Sequence, residues 1–156
     1  MSEHYLLAKW LHVAGGAILF GTGIGIAFHL WITVRGGNVV AIAAAARATV
    51  LADFVFTLPA IVLQPLTGIA LASAMGYPLA SAWIVASFAL YVVAGACWIP
   101  VVFIQLRLRA LAQKAASEGA PLGEEFHDLA RRWFLLGWPA FIAVGAIYWL
   151  MIARPA

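Results

Sequence analysis

Charge is what this chain lacks most. Only 10% of its 156 residues are Asp, Glu, Lys or Arg, where a soluble domain carries about a quarter. With 65% hydrophobic residues and a mean hydropathy of +1.01, the chain reads as an all-α polytopic membrane protein, and its length fits one domain. Cysteine is nearly absent: the single Cys97 closes no internal disulfide and reads as a small apolar helix residue. There is no Cys-x-x-Cys, no His-x-x-x-His and no Gly-rich phosphate loop, and four scattered histidines build no Ser-His-Asp set. Hydrolase and nucleotide-binding readings are therefore set aside. The net charge is +3, but no aromatic-and-basic stripe accompanies it, so nucleic acid is not an expected partner. The first apolar stretch is far longer than the core of a signal peptide and shows no small-residue cleavage site, so it is read as a retained helix.

What is present is four apolar segments, at about residues 5–34, 54–75, 82–106 and 133–153. Each reaches the roughly 20 residues that a spanning helix requires, and the first exceeds it, so it should tilt or project. They predict a four-helix bundle over residues 1–156. Arg35-Gly36-Gly37-Asn38 marks the first turn, and the Ala-rich stretch after it lies at the interface or extends the second helix. Gly76-Tyr77-Pro78-Leu79 marks a tight second turn. In the long third connection, Arg107, Arg109 and Lys114 carry the third helix into water. Gly119, Pro121 and Gly123 break it, and Glu124 and Glu125 suit the start of a new helical segment. The first and third connections hold seven of the nine basic residues, leaving Lys9 and Arg154 on the other side. The positive-inside rule then puts the connections in the cytoplasm and both termini in the periplasm of a bacterial inner membrane.

One residue dominates the functional reading. His12 lies inside the first spanning segment, and an ionisable side chain at that depth is a functional-site candidate by default. At about 1.5 Å per residue it sits about 10 Å below the outer end of the helix. Gly15 and Gly16 follow one turn on and remove bulk beside the ring, leaving room for a flat ligand such as a porphyrin. Neutral imidazole is a common axial ligand of haem. Lys9, one turn above, can reach the headgroups or pair with a ligand carboxylate. Gln64, Tyr91 and Tyr148 are candidate donors at comparable depth. Pro65 frees a carbonyl whose surroundings Gln64, Thr67 or water can satisfy. Met75 and Met151 are candidates for a second axial ligand or for a soft metal. Gly21, Gly23 and Gly25 read as close helix packing, which also permits self-association. Asp53 reads as a carboxylate opening the second helix or pairing with Arg47. His29, about 25 Å from His12 along the helix, reads as interfacial, and His4 and His127 as solvated.

The run Lys9-Trp10-Leu11-His12, together with Phe20-Gly21-Thr22-Gly23, Asp53 to Gly68 and Trp133 to Pro155, resembles a domain-of-unknown-function family of predicted bacterial integral membrane proteins. A more distant resemblance is to HemJ-type protoporphyrinogen oxidases and CopD-like copper-resistance membrane proteins. In the HemJ type a Lys-x-Leu-His run supplies a haem b ligand, which implies that role for His12. Gly137-Trp138-Pro139 stands where that type has an Asn-Glu-x-Pro-like motif, and the stretch from Trp83 to Leu90 has no lysine. The resemblance therefore carries haem binding and a four-helix architecture rather than oxidase chemistry. The resulting expectation is a haem b protein with an electron-transfer or redox role, partnered by membrane lipids and by a quinone or porphyrin-like molecule. The alternatives are copper handling through His12 with Met75 or Met151, and a cofactor-free assembly partner.

Overall fold

The computed structural model describes residues 3–155. Among these, helix α1 spans Glu3–Gly36, α2 Val39–Ala52, α3 Leu58–Ala74, α4 Ala82–Glu118 and α5 Glu124–Ala153. A π-helical turn, Asp53–Thr57, joins α2 to α3 without a break. The result is all-α, with four long apolar rods, each long and apolar enough to cross a membrane. The Ala-rich stretch is thus the first half of the second rod and not a separate element. Likewise the polar residues of the third connection belong to the ends of α4 and α5, separated only by residues 119–123.

Glycine sets the turns. Gly37, Gly76 and Gly119 have φ of 72°, 72° and 62°, a region that side chains with a Cβ avoid. Asn38 then caps α2 by accepting from the Ala41 amide at 3.0 Å. Beyond α3 and α4, Tyr77 and Ala120 donate back to the Ala72 and Ala115 carbonyls at 3.0 and 2.9 Å, closing each helix end.

The rods are longer than a bilayer requires. The 37 residues of α4 extend about 55 Å at 1.5 Å each, against a hydrocarbon thickness of about 30 Å. The surplus projects at the end that holds the basic connections, here the basic end; the other is the terminal end. The largest fully buried side chains, Phe126, Leu30, Ile42, Leu108, Gln105 and Thr49, all lie at the basic end. There water drives apolar burial. Within lipid no such drive acts between helices, and close approach of small residues replaces it. Gly15, Gly16, Ala60, Ala72, Ser87 and Ala143 are accordingly most of the buried groups toward the terminal end, with Thr67 and the larger Ile84 beside them. An Arg107–Glu125 pair at 2.8 and 3.1 Å ties α4 to α5 at the basic end. The Arg107 guanidinium, through its hydrogen bonds, holds the Glu125 carboxyl below its ordinary range.

Candidate functional site

Pro65 has no amide hydrogen, so the Ile61 carbonyl one turn earlier in α3 is left without its helical donor. The Tyr91 hydroxyl, from α4, donates to it. The freed carbonyl is therefore met by Tyr91. Gln64 instead reaches across to α1 and donates from Nε2 to the His12 carbonyl oxygen at 2.9 Å. These two bonds hold α3 against both neighbours at the level of the histidine.

Thr67 fixes the state of that histidine. Its hydroxyl hydrogen goes to the Leu63 carbonyl at 2.6 Å, which leaves the oxygen as an acceptor for His12 Nδ1, 2.8 Å away. With the proton on Nδ1, the lone pair is on Nε2, which has no hydrogen-bond partner among the described residues. Histidines that bind metals show this arrangement, one ring nitrogen donating to a fixed acceptor while the other is kept for the metal. Gly68, one residue on, makes room for the ring: a Cβ there would stand 3.2 Å from His12 Cε1. Sequence reading misses Gly68 and places Thr67 only among the groups around Pro65, not against His12 Nδ1. The only signal was their level, about 10 Å from the end of α3, matching that of His12 in α1.

His12 lines a cavity of about 410 Å³ between α1, α3, α4 and α5, within the 300–1,000 Å³ range of small-molecule sites. Lys9, Gly16, Gln64, Tyr91, Tyr148, Met75 and Met151 line it too. Gly15 does not: a Cβ there would stand 2.7 Å from Gln64 Nε2, and one on Gly16 would stand 2.7 Å from the Tyr148 hydroxyl. Gly15 thus admits the Gln64 side chain, whereas Gly16 both takes the Tyr148 hydroxyl and borders the cavity. Lys9 and Arg154 both border the cavity, and among the described residues neither pairs with a carboxylate. Met75 is engaged by the Tyr5 hydroxyl, 3.6 Å from its sulfur. No three His, Cys, Asp or Glu side chains gather anywhere among the described residues.

The remaining candidates fall elsewhere. His29, His4 and His127 are exposed. Gly23 takes the Phe141 ring, its would-be Cβ 2.8 Å from Cζ, whereas Gly21 and Gly25 face open space and pack against nothing. Asp53 neither opens a helix nor meets Arg47, which is exposed. It is 3% exposed and accepts from Gln105 Nε2 at 2.6 Å. Gln105 in turn accepts from the Trp133 indole at 3.3 Å. Indole only donates, so the amide oxygen faces Trp133 and the amide nitrogen faces Asp53.

Four apolar rods around a half-buried histidine define a multi-pass integral membrane protein with a small-molecule cavity near its terminal end. The chain belongs to the family described as predicted integral membrane protein (DUF2269), whose profile matches residues 6–155. No curated protein and no solved structure gives a significant match.

Proposed function

We propose that the protein binds haem b through His12 and serves electron transfer or a related redox role in its membrane. The observation that carries this reading is the Thr67-fixed tautomer of His12, which leaves Nε2 with a lone pair beside a cavity of ligand size. Haem supplies four nitrogen donors of its own, so a site with one imidazole suits it better than a bare ion. Lys9 and Arg154, which pair with no carboxylate among the described residues, suit ligand carboxylates at the cavity mouth. The apolar walls and the hydrogen bond to His12 are the levers by which the chain would set the iron's potential. On this reading the basic end faces the cytoplasm, in accord with its seven arginines and lysines, and both termini face the periplasm of a bacterial inner membrane.

The test is the absorption spectrum of the purified protein, oxidised and reduced. A Soret band with reducible α and β bands is expected, and His12→Ala should remove it while the protein still inserts into the membrane. A full band in that variant removes the assignment. A copper-handling role is favoured by one observation, that Met75 and Met151 line the same cavity as His12. Thioether sulfur with imidazole selects copper(I), so copper without a porphyrin spectrum in the purified protein would replace the first reading by the second.

A further inference from the structure

A second and larger cavity, about 1020 Å³, lies toward the basic end, walled by the rings of Phe20, Phe28, Trp31, Trp98, Trp133 and Phe141. Ile24, Phe28 and Trp138 border it and are exposed, so it opens sideways between α1 and α5. Into this apolar space come polar groups that the fold leaves unused. Thr57, 6% exposed, has a buried hydroxyl without a partner, and so does the Trp98 indole nitrogen. Asp53 spends only Oδ2 on Gln105, and Oδ1 has no partner among the described residues. Buried polar groups are nearly always satisfied, and an unpaired cluster calls for an explanation such as a ligand. Asp53 and Thr57 are also the two ends of the π-helical turn, a distortion found often at functional sites.

The polar groups define the ligand's head. It donates a hydrogen bond to Asp53 Oδ1, as a hydroxyl does, with the Thr57 hydroxyl and the Trp98 indole as further unpartnered donors in the same cavity. Asp53 and Arg131 both border the cavity, so a head of either charge would meet a like charge and a neutral one meets neither. The aromatic walls favour a flat ring. By helix rise, Asp53 lies about 31 Å from the end of α3, at the margin of a hydrocarbon layer about 30 Å thick. A head held there leaves a tail free to run out through the side opening into lipid. We infer that this cavity binds a lipid-soluble hydroquinone, its ring among the tryptophans and phenylalanines and its hydroxyl on Asp53. This site stands independently of any cofactor at His12.

The probe is 2,3-dimethoxy-5-methyl-6-decylhydroquinone, kept reduced under argon and titrated into the detergent-purified full chain, with binding read as quenching of tryptophan emission. Its bis-methyl ether, which cannot donate, is the comparison. Saturable quenching is expected from the hydroquinone, with an apparent Kd at least about tenfold lower than for the ether, a difference of about 1.4 kcal/mol. Asp53→Asn should weaken hydroquinone binding by about tenfold or more. Gln105 presents its amide nitrogen to position 53, so the Asn oxygen must face Gln105 and its NH2 group must face the ligand, donor against donor. Trp98→Phe should weaken binding several-fold, and Gly21→Ala, which faces open space outside the cavity, should leave it unchanged. Equal affinities for hydroquinone and ether would overturn the proposal, as would quenching that rises linearly as mere partition into micelles. So would an Asp53→Asn protein of unchanged melting temperature and unchanged affinity. If Asp53→Asn does not fold, the two-probe comparison on the unaltered chain still decides.

Discussion

Replacing Thr67 by valine separates the tautomer argument from every other contribution to the His12 site. Valine is almost the same size, so the cavity keeps its shape, and what disappears is one acceptor for His12 Nδ1 at 2.8 Å. The hydroxyl's other bond, to Leu63, lies within α3 itself, so no contact between helices is lost except the one to His12. A single net hydrogen bond is worth about 0.5–1.5 kcal/mol, and loss of the partner that orients a metal-binding histidine typically weakens binding by about 10–100-fold. An approximately tenfold faster loss of haem is therefore expected, measured as transfer to excess apomyoglobin and followed at the Soret band. Thr67→Ser keeps the acceptor and should retain haem as the unaltered protein does. If the valine variant melts normally and holds its haem as tightly as the serine variant, Thr67 does not set the proton on His12, and the reasoning from that hydrogen bond fails.

Three other outcomes follow from the geometry. Gln105→Leu orphans both Asp53 and the Trp133 indole; at about 1–3 kcal/mol for each unpaired buried group, a loss of about 2–6 kcal/mol in detergent unfolding is expected, and a neutral result would refute the buried chain of bonds. Gly68→Ala puts a methyl group 3.2 Å from the His12 ring and should cost several-fold in haem retention, whereas Gly21→Ala, facing open space, should cost nothing. Because Arg107 holds the Glu125 carboxyl below its ordinary range, the pair's stabilisation is present above the unfolded glutamate value, about 4.3, and is lost as pH falls through the lower folded value. Both partners are exposed, so the effect is small and salt-sensitive; Arg107→Gln should lower the melting temperature slightly at neutral pH and leave it unchanged at the acid end, flattening that part of a melting series.

The architecture was legible because lipid imposes a single rule, roughly 20 apolar residues for each crossing, and the four segments obey it. Their true lengths were less legible. Sequence carries helix through Arg107, Arg109 and Lys114 and opens a new segment at Glu124, as the structure does, but it does not show that this segment runs unbroken into the fourth rod, since a polar surface suits a helix that has left the bilayer. His12 stood out because imidazole is rare at that depth, but its partner did not. Threonine and glycine in a spanning helix are ordinary, and only the packing of α1 on α3 shows that Thr67 and Gly68 meet the ring. Gly15 and Gly16 misled for the complementary reason: sequence shows that space exists beside a glycine, not what fills it. Asp53 misled because an acidic residue before an apolar run imitates a helix start, and here the helix passes straight through it as a π-helical turn.

The bundle is fastened like a pair of tongs. Its large side chains interlock where the rods meet water, and toward the termini they touch mainly through small residues and a few hydrogen bonds. Local opening is easiest where apolar contacts are fewest, so the jaws at the terminal end can part while the hinge stays shut. A flat molecule too wide for any aqueous passage then has a route in from the side, through the lipid, and the protein need not unfold to admit it or let it go.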